Sequence, residues 1–204
     1  FTYKLNDGTD AKNYTITTTE GKLEVTPNET EVIVTIKGNT ATKTYNGEEQ
    51  SVTGYKVTSS NGLYKESDIK FTGKATAKGT NAGTYKMDLK PADFKNTSKN
   101  FSNVKFEVKD GFLTINKCLI LITAKDVTTV YNGESPVVKD YTILREVSNG
   151  DPVNTLPTGH KIGTYDTYGS GVDAGEYEWF SMKDAPILDA GNKDVTSNYE
   201  ISYD

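Results

Sequence analysis

Cysteine, histidine and tryptophan each occur only once in the 204 residues, as Cys118, His160 and Trp179. A lone cysteine excludes an internal disulfide and any cysteine-based zinc cluster. Beside Leu119 in an apolar run, Cys118 reads as a small buried hydrophobe rather than a nucleophile. The lone histidine stands in Leu156-Pro157-Thr158-Gly159-His160-Lys161, and that setting predicts a solvated loop residue. No Gly-x-Ser-x-Gly elbow and no His-Glu-x-x-His pair occur, and the glycine-rich stretches lead into strand-like runs rather than opening a helix around a phosphate. The sequence therefore offers no catalytic residues, and the chain reads as a non-enzyme.

Other absences narrow the class further. No apolar run reaches the roughly 18 residues that cross a bilayer as a helix. The 23 basic and 28 acidic residues are scattered, with a net charge of −5, and no run of five basic residues exists. Nucleic-acid binding and attraction to anionic membranes both lack their electrostatic footprint. Apolar residues at i, i+3, i+4 and i+7 are nearly missing, whereas period-two alternation is common. With neither an initiator methionine nor a signal peptide, the segment is expected to belong to a longer polypeptide.

What is present is a repeat. Tyr45-Asn46-Gly47-Glu48 returns as Tyr131-Asn132-Gly133-Glu134, each after an apolar alternating run, Val32-Ile33-Val34-Thr35-Ile36 or Leu119-Ile120-Leu121-Ile122-Thr123. Midway, Ala82-Gly83-Thr84-Tyr85 answers to Ala174-Gly175-Glu176-Tyr177. The closing block Asn103-Val104-Lys105-Phe106 answers to Asn198-Tyr199-Glu200-Ile201, and again to Asn13-Tyr14-Thr15-Ile16 near the start. Gly21-Lys22-Leu23-Glu24-Val25-Thr26 matches Gly111-Phe112-Leu113-Thr114-Ile115-Asn116. The organisation read from these landmarks is residues 1–28 as the closing hairpin of a preceding repeat, 29–117 as a complete module, and 118–204 as a second module lacking its last strand. A period of roughly 90 residues suits a small all-β module.

The expected fold is all-β, with tandem antiparallel β-sandwich-like modules of immunoglobulin-like general architecture. The alternative is a β-grasp-like module with one short helix, for which residues 89–94 with Pro91 in the first turn are the only candidate. Residues 105–108 and 112–115 alternate around Asp110-Gly111 and predict a hairpin, and Glu20-Gly21 marks the corresponding turn near the N-terminus. Asn46-Gly47 and Asn132-Gly133 predict type I′ turns with positive φ at both residues.

Candidate sites are few. Carboxylates at Asp7 to Asp10 and at residues 189–194 fall in turn-like segments, where Asx side chains cap backbone groups rather than form a glycosidase pair. Asp189, Asn192 and Asp194 are weak calcium candidates, because their spacing departs from an EF-hand loop. No other metal and no cofactor is expected. Tyr45, Tyr131 and their repeated fellows serve each module's own fold. The non-repeated Trp179, Tyr165 and Tyr168 are the candidates for a glycan or protein contact in the second module.

Thr44-Tyr45-Asn46-Gly47, Val130-Tyr131-Asn132-Gly133, the two Ala-Gly-x-Tyr blocks and the closing residues 192–201 resemble the MBG-type and YDG-type repeats of bacterial cell-surface, adhesin-like proteins. The resemblance covers nearly the whole chain and rests on turns that make a fold, not on chemistry. It implies an extracellular, surface-attached context, a stalk-like role and neighbouring repeat modules of the parent chain as partners, with no catalytic residues. The competing expectation is a module that itself contacts a glycan or a host surface protein. Because the ends look complementary, strand sharing between molecules is a further expectation.

Overall fold

The structure is a computed structural model, and it describes residues 4–134, 141–145, 153–164, 167–168, 171–178, 180–181 and 185–203. Every helical segment among the described residues is a three-residue 3-10 turn, and the protein is all-β. The helix candidate at residues 89–94 is one such turn, Pro91–Asp93, closed by the Asp93 carboxylate accepting from the Lys90 N–H at 2.8 Å.

Ten strands build the first repeat: β1 (Val32–Gly38), β2 (Thr40–Thr44), β3 (Gln50–Thr53), β4 (Tyr55–Ser59), β5 (Ile69–Phe71), β6 (Thr76–Gly79), β7 (Gly83–Lys86), β8 (Phe94–Asn96), β9 (Val104–Lys109) and β10 (Phe112–Asn116). Alternation places Val32, Val34 and Ile36 of β1 inside while Ile33, Thr35 and Lys37 point the other way. Two three-stranded sheets, β4-β1-β9 and β2-β10-β7, carry the fully buried Val32, Val34 and Ile36 of β1 and Leu113 and Ile115 of β10. Ladders β3–β6 and β5–β8 flank them.

The pairing overturns two expectations. The alternating runs around Asp110-Gly111 are not a hairpin: β9 lies in one sheet, parallel to β1, and β10 lies in the other, parallel to β2 and antiparallel to β7. The module is therefore mixed rather than purely antiparallel. The chain steps from the first sheet to the second at Asp110-Gly111, beside the equivalent step from β1 to β2 at Gly38-Asn39. The steps touch backbone to backbone: a Cβ on Gly38 would stand 2.6 Å from the Gly111 Cα, and one on Gly111 2.5 Å from the Asn39 carbonyl oxygen. A pair of parallel ladders on both sides of the step gives both chains their hydrogen bonds, so no tight turn is needed. Period-two alternation identifies strands but leaves their partners open.

The second repeat reproduces the first sheet. Strand β11 (Cys118–Ala124) pairs with β12 (Tyr141–Arg145) antiparallel and with the last strand, Tyr199–Tyr203, parallel, as β1 does with β4 and β9. Between these in sequence come β13 (Lys161–Ile162), β14 (Thr167–Tyr168), β15 (Phe180–Ser181) and β16 (Ile187–Leu188), so the last strand is β17. The second sheet has no counterpart among the described residues. Residues 125–134 and 171–178, which correspond to the regions of β2 and β7, form no strand.

The N-terminal segment also departs from expectation. Residues 14–27 form no hairpin, and Leu23 and Val25 are 88% and 85% exposed. In the complete repeat the matching strands bond to β1, β2 and β7 and not to each other. It is held at Asn28, whose N–H donates to the Asn100 carbonyl at 2.8 Å and whose carbonyl accepts from the Ser102 N–H at 3.1 Å.

Candidate functional site: the junction between the two repeats

Lys117 alone separates β10 from β11. At that step the Tyr45 N–H donates to the Asn116 carbonyl at 2.9 Å, which ties the first Tyr-Asn-Gly turn to the strand that leads into the second repeat. The Tyr45 side chain is 2% exposed. Its ring stands edge-on to Tyr199 at 5.3 Å and 81°, and tilted to His160 at 5.9 Å. Edge-to-face aromatic pairs of this spacing add about 0.5–1.5 kcal/mol beyond the area they bury.

His160 is thus half-buried at the junction and not a solvated loop residue. Its N–H to the Pro157 carbonyl, 2.9 Å, closes the turn that precedes β13, and Nδ1 shares a hydrogen bond with the Tyr199 hydroxyl at 2.5 Å. Burial lowers the imidazole pKa below its usual 6.5, with Arg145 adding to the effect and Asp189 opposing it. Burial likewise raises the Tyr199 and Tyr45 hydroxyls, so both stay protonated. Cys118 lies opposite Tyr199 in the β11–β17 ladder, 1% exposed, with its thiol pushed up by burial. Protonated and covered, it is inert.

The second contact uses the middle landmark. Asn198, 3% exposed at the end of a 3-10 turn, accepts from the Ala82 N–H at 2.7 Å and donates to Asn81 Oδ1 at 3.2 Å. The Ala82-Gly83 turn is itself shaped by Tyr85, whose hydroxyl donates to the Asn81 carbonyl at 2.9 Å. In the second repeat Tyr177 does the same to the Asp173 carbonyl at 3.0 Å. Two of the three repeated landmarks therefore meet the following repeat here. Tyr85 and Tyr177 serve the turns of their own repeats, as the sequence predicts, whereas the Tyr45 ring is covered by residues of the second repeat.

The Tyr-Asn-Gly segments are turns, but not hairpins of type I′. Positive φ is confined to Gly47 (84°) and Gly133 (83°); neither Asn46 nor Asn132 adopts it. Each asparagine accepts instead from the backbone two residues on, Asn46 Oδ1 from the Glu48 N–H at 3.0 Å and Asn132 Oδ1 from the Glu134 N–H at 2.9 Å. The flanking strands β2 and β3 pair with different partners, so the turn has no hairpin twist to match. Tyr131 remains 64% exposed.

The calcium candidates are occupied with turn geometry. Asp189 Oδ1 accepts from the Gly191 and Lys193 N–H groups, both at 2.9 Å, Asn192 sits at φ 63°, and Asp194 Oδ1 accepts from the Thr196 N–H and hydroxyl. Those bonds lower the Asp194 pKa, the hydroxyl first. Among the described residues no three His, Cys, Asp or Glu side chains are grouped as metal ligands. Trp179 and Tyr165 lie outside the described residues, and of Tyr168 only its place in β14 is described.

Residues 32–117, which make up the first repeat, match the family model of the MBG domain. The MBG domain is a non-catalytic repeat family, so the match brings no catalytic residues with it. No curated protein and no solved structure matches the chain.

Proposed function

We propose that this chain, an MBG-type module followed by a second copy of its repeat, is a spacer segment of a bacterial cell-surface protein, holding another part of that protein away from the cell. The observation that carries the reading is the junction itself. A one-residue connection, a buried Tyr45–His160–Tyr199 cluster and the Asn198 bonds to Asn81 and Ala82 fix one repeat on the next. Tandem modules with such nearest-neighbour contacts transmit length and orientation rather than flex as beads on a string.

Small-angle scattering of the 204-residue chain tests the reading. The expected radius of gyration lies clearly above the roughly 17 Å of a compact domain of this length. A compact profile, or a broad distribution of interrepeat distances, rejects the spacer.

A further inference from the structure

Lysines dispersed in the sequence meet on one face of the first repeat. In the β4-β1-β9 sheet Val34 and Ile36 point inward, so Ile33, Thr35 and Lys37 point outward. Lys37, on the middle strand, faces Lys56 of β4 on one side and Lys109 of β9 on the other. All three are exposed. Adjacent strands lie about 4.8 Å apart, so three ammonium-bearing side chains leave the sheet from a row about 10 Å wide.

The fold gains nothing from this row, because like charges directly opposite on neighbouring strands destabilise a sheet. In the second repeat the places of Lys37 and Lys56 belong to Thr123 and Thr142, which face each other in the equivalent ladder. Among the described residues none of the three lysines forms an ion pair. Glu107, one row along, is taken by Lys105 at 3.0 Å. Asp110, next to Lys109, accepts from the Asp88, Leu89 and Gly111 N–H groups. The charge balance adds to the contrast: residues 29–117 hold 14 basic and 10 acidic residues, residues 118–204 six and 14. A negatively charged polymer is therefore steered to the first repeat and away from the second. Pairing rules that a sequence breaks at a cost mark functional sites.

We infer that Lys56, Lys37 and Lys109 form a binding site for a linear anionic polysaccharide, whose sulfate or carboxylate groups lie along the row. A flat face with three exposed point charges suits a chain whose anionic groups recur along its length. The rest of the face is Ile33, Thr35, Thr58, Lys105 and Glu107, with no aromatic ring on which a nucleobase would stack. That composition favours a polysaccharide over a single-stranded nucleic acid. The site rests on the register of one sheet and not on the junction, so scattering that rejects the spacer leaves it standing.

Calorimetric titration of the 204-residue chain with heparin, a sulfated polysaccharide, tests the site, with a single-stranded oligonucleotide alongside. Heparin is expected to bind, and more weakly as salt is raised. Lys37→Thr with Lys56→Thr and Lys109→Thr is expected to weaken it about tenfold, what three exposed ion pairs are worth. Lys43→Thr with Lys70→Thr and Lys95→Thr removes as much charge from β2, β5 and β8, including the Lys70–Lys95 pair that faces across its own ladder. That variant is expected to change heparin binding less than about threefold, since charges away from the site are screened. Heparin should raise the melting temperature of the wild type and leave that of the Lys37, Lys56 and Lys109 variant unmoved. Without heparin this variant should melt no lower than the wild type, because it has lost only repulsion. Absence of heparin binding, equal weakening in the two variants, or tighter binding of the oligonucleotide overturns the inference. So does a row variant that melts below the wild type, which would assign the lysines to the fold.

Discussion

Tyr45 and Tyr131 hold the same position of the repeat, yet Tyr45 is 2% exposed and Tyr131 64%. The difference is what stands opposite: His160 and Tyr199 cover the first ring, and no described residue does so for the second. A repeated tyrosine is here a docking residue whose burial depends on the neighbour it meets.

Truncating the two therefore separates junction from fold. Tyr45→Ala should cost about 3 kcal/mol, the usual penalty for emptying a buried aromatic site. Tyr131→Ala should stay within about 0.5 kcal/mol, as exposed substitutions do. Chemical denaturation of the two variants reads both values. Equal losses would return the tyrosine to the interior of each module and remove the docking account.

The adjoining glycines extend the comparison. Gly47 and Gly133 share a positive φ, 84° and 83°, so valine at either strains the backbone by about 1–3 kcal/mol. A Cβ at Gly47 also lies 2.9 Å from His160 Nε2, whereas at Gly133 nothing stands within 4 Å. Gly47→Val should thus lower the melting temperature more than Gly133→Val, and only Gly47→Val should change the interrepeat distance seen by scattering. The reverse order would show that strain alone governs the turn.

Asn198→Ala leaves the Ala82 N–H without its 2.7 Å acceptor inside the junction. An unpaired buried donor costs about 1–3 kcal/mol. Amide hydrogen exchange gives the local readout: Ala82 should exchange faster in the variant, while amides of the β1–β9 ladder, remote from the contact, should keep their protection. Unchanged protection at Ala82 would mean that the bond contributes nothing.

His160 makes the junction sensitive to acid. Its pKa in the folded chain lies below the ordinary 6.5, chiefly through burial. As pH falls below 6.5 the unfolded chain takes up the proton first, so it binds more protons than the folded chain and stability declines. The decline ends once pH has passed the folded value, and above 6.5 the contribution is fully present. The wild-type melting temperature minus that of His160→Gln should therefore shrink on acidification through this window. A gap that widens, or that ignores pH, contradicts the burial of the ring.

Much of this protein is fixed by local pattern. Alternation in Val32-Ile33-Val34-Thr35-Ile36 makes a strand with one buried face wherever it pairs, and glycine after Asn46 and Asn132 accepts a φ that other residues resist. The repeat is legible for the same reason, since each landmark is a turn or strand start encoded within a few residues.

Pairing and burial across the junction belong to the tertiary structure. Residues 105–108 and 112–115 read as a hairpin because neighbouring strands commonly pair. Parallel bonding to β1 and β2 instead sends them to different sheets, and those partners lie far away in sequence. His160 gave no local sign of its place, because burial by Tyr45 and Tyr199 is a property of two repeats meeting and of neither alone. Residues 22–26 and 112–116 share one strand pattern, yet only the latter form a strand, and its place between β2 and β7 is set by residues far from it in sequence.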